Sequence, residues 1–121
     1  MGWLSYQQGR RSEQTAKQWL QAQGVQVLCE NFRAKGGEID LIGQLPDTTV
    51  VFFEVKQRRN AQHGHPAEYV TAQKQAKLVR AAQVYLLKHP HLQAYPQRFD
   101  LLTLIDQNPQ PEWLENIIVG G

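Results

Sequence analysis

Two short segments carry ionisable side chains on predicted β-strands, where uncharged residues are usual. The first is 37–42, which contains Asp40, and the second is 51–56, which ends in Glu54, Val55 and Lys56. Successive side chains of a strand alternate between faces, so Glu54 and Lys56 are predicted on one face, with Cα atoms roughly 6–7 Å apart. If the two strands pair, Asp40 joins them, because cross-strand neighbours lie within about 5 Å. Two carboxylates and one ammonium group on a shared patch are typical of a site that holds a divalent metal and an activated water.

Hydrolysis of a phosphodiester needs an activated water and neutralisation of the charge that builds up on the phosphate. Mg²⁺ suits this chemistry, because it is held by one or two carboxylates and keeps several waters. We expect Asp40 and Glu54 to be direct ligands, with the carbonyl of Val55 as a third. Lys56 is expected to orient or help deprotonate the attacking water, or to stabilise the charged transition state, and the sequence leaves these roles open.

A Glu-x-Lys pair on a strand has a simpler interpretation, an exposed ion pair that is worth little. Taken alone, Glu54 and Lys56 favour that interpretation. The presence of Asp40 on the neighbouring predicted strand, 14 positions earlier, shifts the balance towards a metal site.

The first predicted element is a helix over 6–23, with Ser5 as its N-cap and Gly24 as its terminator. Ala16, Trp19 and Leu20 form its apolar stripe. Glu13 lies one turn earlier on that stripe. It either sits at the edge of the stripe and reaches solvent, or points across the sheet towards Asp40 and Glu54.

Hydrophobic and β-branched patterning predicts the remaining elements. In chain order they are strands 25–32, 38–43 and 49–57, a helix over 71–88 with Thr71 as its N-cap, a strand 98–105 and a short strand 113–119. The first three strands are predicted to form a meander. The fold class is therefore α/β, an α-β-β-β-α-β order with a β extension, in which helices flank a central mixed sheet.

Composition describes an ordinary globular chain. Its 121 residues, 41% hydrophobic and 20% charged, fit one domain over 1–121. No apolar run approaches the roughly 18 residues that a membrane span needs, and no signal peptide is evident. The single cysteine, Cys29, excludes an intrachain disulfide. We therefore expect a cytoplasmic protein with no membrane partner.

The net charge of +2 is too small to argue for nucleic-acid binding, and the distribution of charge is more informative. One basic cluster follows the second segment, and another recurs at helical spacing; their members are Lys56, Arg58 and Arg59, then Lys74, Lys77 and Arg80. These residues fit a basic face opposite phosphate, and they fit a solvated surface equally well.

The chain resembles the YraN-like family of small bacterial proteins, which in turn is similar to the PD-(D/E)XK nuclease superfamily. The matching residues run through nearly the whole chain. They include Glu13, 31–33, the segment 37–42, the segment 51–58 and 98–100, and their combination is specific for the family. The superfamily's proline is absent, since Ile39 precedes Asp40. The resemblance implies a restriction-endonuclease-like core, closest in layout to Holliday-junction resolvases.

Carried over by position, the superfamily's first acidic residue falls on Glu13, its aspartate on Asp40, and its (D/E)-x-K on Glu54 and Lys56. The helix residue that often faces such a site falls on Gln73 or Lys74. The resemblance implies an endonuclease dependent on Mg²⁺ or Mn²⁺ that acts on DNA, including branched DNA, and makes a homodimer worth testing. Phosphate contacts are expected from Arg58, Lys74 and Lys77.

Two other classes of function stay open. One is a noncatalytic nucleic-acid-binding module that keeps the nuclease fold. The other is a protein-interaction module of DNA uptake or repair machinery, in which the basic face is incidental.

Overall fold

The computed structural model describes residues 2–58, 70–106 and 110–118, with backbone only for 2–10. In chain order the elements are α1 (Gly2–Ala22), β1 (Gln26–Ala34), β2 (Gly37–Gln44), β3 (Val50–Arg58), α2 (Ala72–Lys88), a 3₁₀ helix (Pro90–Ala94), β4 (Gln97–Ile105) and β5 (Glu112–Leu114). This order confirms the predicted α-β-β-β-α-β core. The residues of the histidine-containing loop, 59–69, lie outside the described residues.

The described strands form one five-stranded mixed sheet in the order β1-β2-β3-β4-β5. The first three strands are antiparallel, which confirms the meander, and β5 is antiparallel to β4. Strand β4 runs parallel to β3 and follows α2 along the chain. A parallel pair needs a crossover of this kind, because a short hairpin turn reverses the direction of the strand.

The end of α1 follows the sequence prediction. Gly24 has φ of 92°, and its N–H donates to the carbonyl of Gln21 at 3.0 Å. The N–H of Val25 donates to the carbonyl of Leu20, also at 3.0 Å. This is the Schellman arrangement, in which glycine adopts the left-handed conformation at no steric cost.

Helix starts were predicted with mixed success. Thr71 caps α2 as expected, since its hydroxyl accepts from the N–H of Lys74 at 3.2 Å. The predicted start of α1 was wrong, because the helix begins at Gly2 and Ser5 lies inside it. A Ser-x-x-Gln pattern can satisfy the free backbone N–H groups at the start of a helix. It does not prevent the residues before it from being helical as well.

The two helices cover separate apolar cores. The α2-side core contains Phe52, Leu78, Ala81 and Tyr85, and the α1-side core contains Ala16, Leu20, Leu41, Val51 and Phe53. Neighbouring residues of β3 therefore point to different helices, as strand alternation requires. This arrangement places the end of β3 between side chains of α1 and side chains of α2.

Candidate functional site

The predicted carboxylates lie where β2 and β3 stop pairing. The register between these strands runs from Gln44 opposite Val50 to Leu41 opposite Phe53. Asp40 and Glu54 are the next residues beyond the last pair. There the side chain of Asp40 takes the place of a backbone partner, because its Oδ2 accepts from the N–H of Val55 at 2.8 Å. The strands thus open at the point where the acidic residues sit.

The same hydrogen bond orients the carbonyl of Val55. In a strand, the N–H and C=O of one residue face the same neighbouring strand, which is why an antiparallel pair exchanges both bonds. Since the N–H of Val55 faces Asp40, its carbonyl faces the same opening between β2 and β3. The carboxylate of Asp40 and the carbonyl of Val55 therefore face the same opening. Both are oxygen donors of the kind that Mg²⁺ binds.

The surroundings of Asp40 strongly raise the pKa of its carboxyl group. Burial and the negative charge of Glu54 raise the pKa of Asp40 to about 7, although the hydrogen bond from Val55 acts in the opposite direction. The charges of Glu13 and Glu38 raise this pKa further. Carboxylates that repel one another at a partly buried position gain from a bound cation, which removes the repulsion.

Helix α1 brings Glu13 to this position. Ala16 and Leu20, on the stripe that follows Glu13, are fully buried in the α1-side core and hold the helix against the sheet. Glu13 is half-buried and lines a cavity of about 280 Å³ together with Asp40, Val55 and Lys56. Of the two interpretations of Glu13, the structure favours the one in which it faces Asp40.

Glu54 points instead towards α2. It follows Phe52 on the same strand face, and its Oε1 accepts from Lys74 Nζ at 2.8 Å. Its side chain is 13% exposed, and it lines a separate, larger cavity of about 500 Å³ together with Lys74 and Lys77. Asp40 and Glu54 therefore influence each other electrostatically but open into neighbouring cavities, rather than into the shared patch expected from sequence.

The other predicted residues are distributed around these two cavities. Lys56 is half-buried beside Asp40 and forms no ion pair within 2–58, 70–106 and 110–118. Gln73 and Lys77 are exposed on α2. Arg58 does not fit the predicted phosphate contact, because its side chain is 7% exposed and lies 3.9 Å from Glu112. Arg58 lies two residues after Lys56, at the end of β3, where its side chain is buried rather than open to a ligand.

Two polar residues at the site were missed by the sequence interpretation. Ser12 and Gln57 line the cavity that holds Asp40, and the hydroxyl of Ser12 donates to Gln57 Oε1. Gln57 Nε2 then donates to Asp106 Oδ1 at 2.7 Å. These bonds tie α1 to the end of β3 and so hold Glu13 near Asp40. The sequence signal that could have indicated them is their position, since Ser12 directly precedes Glu13 and Gln57 directly follows Lys56.

The oxygen donors are of the kind that binds a hard divalent cation, but their side chains do not form a complete coordination site. Among the described residues, no three His, Cys, Asp or Glu side chains converge on one point suitable for a metal. One oxygen of the Glu54 carboxylate accepts from Lys74. A cation held by Asp40, Glu54 and the carbonyl of Val55 would therefore compete with Lys74 for Glu54.

The raised pKa of Asp40 predicts a pH-dependent stability. Its usual value is 3.8, so between about pH 4 and pH 7 the folded protein keeps a proton that the unfolded chain has lost. The contribution of this group to stability therefore falls as pH rises, and its cost is complete above pH 7. In Asp40→Asn, we expect the free energy of unfolding in EDTA to rise on the order of 1–3 kcal/mol at pH 8, with much less gain at pH 4.5. Urea denaturation at both pH values measures the difference, and an equal gain at both would contradict it.

A sequence model described as "Uncharacterised protein family UPF0102" matches residues 12–104. A UPF0102 protein of Vibrio parahaemolyticus is 43% identical over 122 residues, with 100% of both chains covered. A second, of Aeromonas hydrophila, is 42% identical over 109 residues and covers 89% of this chain and 82% of its own. A third, of Pseudomonas putida, is 41% identical over 111 residues, with 89% of each chain covered. These names state no activity.

Proposed function

The chain belongs to the uncharacterised UPF0102 family, and we propose that it is a metal-dependent endonuclease that hydrolyses phosphodiester bonds in DNA. Membership confirms the expected YraN-like family. The resemblance to PD-(D/E)XK nucleases remains a prediction, and the proposal depends on the chemistry of the site.

One observation carries the proposal. Asp40 is held at the opening between β2 and β3 by the N–H of Val55, while burial and the charges of Glu54 and Glu13 raise its pKa to about 7. A carboxylate that is costly to ionise in the free protein is unusual for a purely structural role. Its neighbours supply the further oxygen donors that would make ionisation favourable around a cation.

Each residue has a stated role in this proposal. Asp40, Glu54 and the carbonyl of Val55 would hold Mg²⁺ or Mn²⁺, and Glu13 would support a water bound there. The ion would lower the pKa of its water and neutralise charge on the phosphate. Lys56 faces the same cavity, where its ammonium group would orient the attacking water or stabilise the charged phosphate.

Lys74 and Lys77, on α2, would contact phosphates, with Gln73 as an accessory residue. Such contacts position a nucleic acid without reading its sequence. DNA as the substrate, a preference for branched DNA, a homodimer and a cytoplasmic location stay predictions. The described part of the chain has no helix that is both long and apolar enough to cross a membrane.

The first experiment is calorimetric titration of Mn²⁺ and Mg²⁺ into the wild type and into an Asp40→Ala/Glu54→Ala variant, with branched DNA present. We expect binding in the wild type and its loss in the variant, followed by metal-dependent cleavage by the wild type alone. Absence of metal binding in both proteins would contradict the nuclease proposal. Cleavage that survives in the variant would remove Asp40 and Glu54 from the mechanism.

The ion pair between Lys74 and Glu54 predicts a gain of metal affinity in Lys74→Met. Lys74 competes with a cation for the carboxylate at 2.8 Å, and its side chain is 41% exposed, so the pair is worth about 0.5–1 kcal/mol. We expect Mn²⁺ to bind about two- to fivefold more tightly in this variant. Lys77→Met is the matched control, since Lys77 lies on the same helix without an ion pair among the described residues. Equal affinities of the two variants would contradict competition at Glu54.

A noncatalytic nucleic-acid-binding module is the second candidate. It is favoured by the engagement of Glu54 with Lys74 and by the lack of a convergent metal cluster among the described residues. Salt-dependent DNA binding without metal binding or cleavage would support this candidate over the enzyme.

A further inference from the structure

We propose that the cleft between the β1–β2 hairpin and α2 binds the phosphodiester backbone of the nucleic-acid strand beyond the reacting bond. The proposal rests on the proposed function and adds a binding site that reaches away from the metal donors. The hairpin cleft is the cavity of about 500 Å³ whose polar lining comes from Arg33 and Glu38 of the hairpin, Lys74 and Lys77 of α2, and Glu54 of β3, with Gly36 and Gly37 at the hairpin turn.

The walls of the hairpin cleft are held in direct contact at one end. A Cβ atom on Gly37 would lie 2.1 Å from the carbonyl oxygen of Lys77, so the hairpin backbone rests on α2 where only glycine fits. Beside it, the side chain of Arg80 lies across Gly36. The cleft is therefore set by backbone packing, and its volume falls in the range that accommodates a group the size of a nucleotide.

Two of the cations that line the hairpin cleft, Arg33 and Lys77, are available to an anionic ligand, whereas Lys74 is paired with Glu54. Arg33 Nε lies 3.7 Å from Glu38, and the two side chains are 78% and 68% exposed, so that pair is worth little. Lys77 and Arg80 form no ion pair within the parts of the chain that the structure describes. Arg33 and Lys77 can thus exchange water for phosphate oxygens without breaking a buried interaction.

The hairpin cleft adjoins the candidate site at Glu54. This residue lines the cleft, and it comes directly before Val55, which lines the cavity of Asp40. Lys74 stands at the junction, 2.8 Å from Glu54. A strand whose reacting phosphate lies at Asp40 and Lys56 therefore passes Lys74 before it enters the cleft between Arg33 and Lys77.

The test measures binding of a fluorescent branched DNA and of its linear duplex by anisotropy, in EDTA so that no cleavage occurs, over a series of salt concentrations. The variants are Arg33→Gln and Lys77→Gln. The control is Lys88→Gln, which removes the same charge about 16 Å further along α2, by the rise of 1.5 Å per residue. Each cleft variant is expected to weaken binding about three- to tenfold and to lower the slope of log affinity against log salt by about one, with neither change in the control.

Several results would contradict binding of the phosphodiester backbone in the hairpin cleft. They are equal slopes in the cleft variants and the control, no DNA binding by the wild type at low salt, or competition by a free mononucleotide as effective as that of unlabelled DNA. Metal titration keeps this proposal separate from the proposed function. DNA affinity that depends on Arg33 and Lys77 in a protein without metal binding would support the cleft and contradict the nuclease, whereas metal-dependent cleavage with unchanged salt slopes would contradict the cleft alone.

Discussion

In Lys56→Met, metal-dependent cleavage is expected to fall about 100-fold or more while metal binding persists, since a positioned proton-transfer or charge-stabilising group supplies about 10²–10⁴ in rate. Lys56 lines the cavity that holds Asp40 and Glu13, and it is absent from the predicted metal donors. Its loss therefore separates catalysis from metal binding. Cleavage under single-turnover conditions and Mn²⁺ titration of the same preparation measure the two effects.

Lys88→Met serves as the control for this prediction. Lys88 is exposed at the far end of α2, with its Nζ 5.7 Å from the ring of Phe32. Its removal takes away the same charge without touching either cavity, so cleavage should match the wild type. Loss of metal binding together with cleavage in Lys56→Met would mean that Lys56 shapes the metal site rather than assisting the water. Unchanged cleavage would exclude Lys56 from the chemistry.

The second large effect concerns stability. Asp100 is a fully buried carboxylate of β4, and four donor nitrogens satisfy its oxygens. It accepts from two nitrogens of Arg98 at 2.8 and 2.9 Å, from Trp113 Nε1 at 2.7 Å and from the N–H of Asn116 at 2.8 Å. Asp100→Ala leaves these donors without their acceptor. We expect the free energy of unfolding to fall by about 3–5 kcal/mol, as for removal of one partner from a buried charged network.

Urea denaturation of Asp100→Ala and Glu115→Ala tests this prediction. Glu115 contacts the same arginine at 3.1 Å, but its side chain is 62% exposed, so its removal should cost less than about 1 kcal/mol. The two variants thus remove a buried and an exposed partner of Arg98. Similar losses in both would contradict the buried network as the source of stability. A cost below about 1 kcal/mol for Asp100→Ala would do the same.

Asp40 and Asp100 show two outcomes for a carboxylate in a sheet. The neighbours of Asp100 are donors, so its negative charge is matched within the folded protein. The neighbours of Asp40 include three other carboxylates and one N–H donor, so its charge is opposed. The difference in surroundings is the physical reason that Asp40, and not Asp100, is the candidate for binding a cation.

Local patterning was sufficient to predict the order of the elements. The apolar and β-branched runs of β3 and β4, the cap at Thr71 and the terminator at Gly24 are all properties of neighbouring residues in the chain. The exact start of α1 was less determined, because a capping pattern competes with continuation of the helix. The fifth strand was shorter than predicted, Glu112–Leu114 against 113–119. Its pairing with β4 ends at Leu114, and Asn116 has φ of 61°, which does not fit a regular strand. Val119 lies outside the described residues.

By itself, the sequence determined which residues could do chemistry, because residue type and spacing along a strand are sufficient to nominate Asp40, Glu54 and Lys56. Only the tertiary structure decided how these residues are shared between two cavities. The choice depends on contacts between distant segments, above all the ion pair of Lys74 with Glu54 and the packing of Gly37 on α2. Side-chain alternation specifies a face, whereas the partner on that face is supplied by another element of the fold.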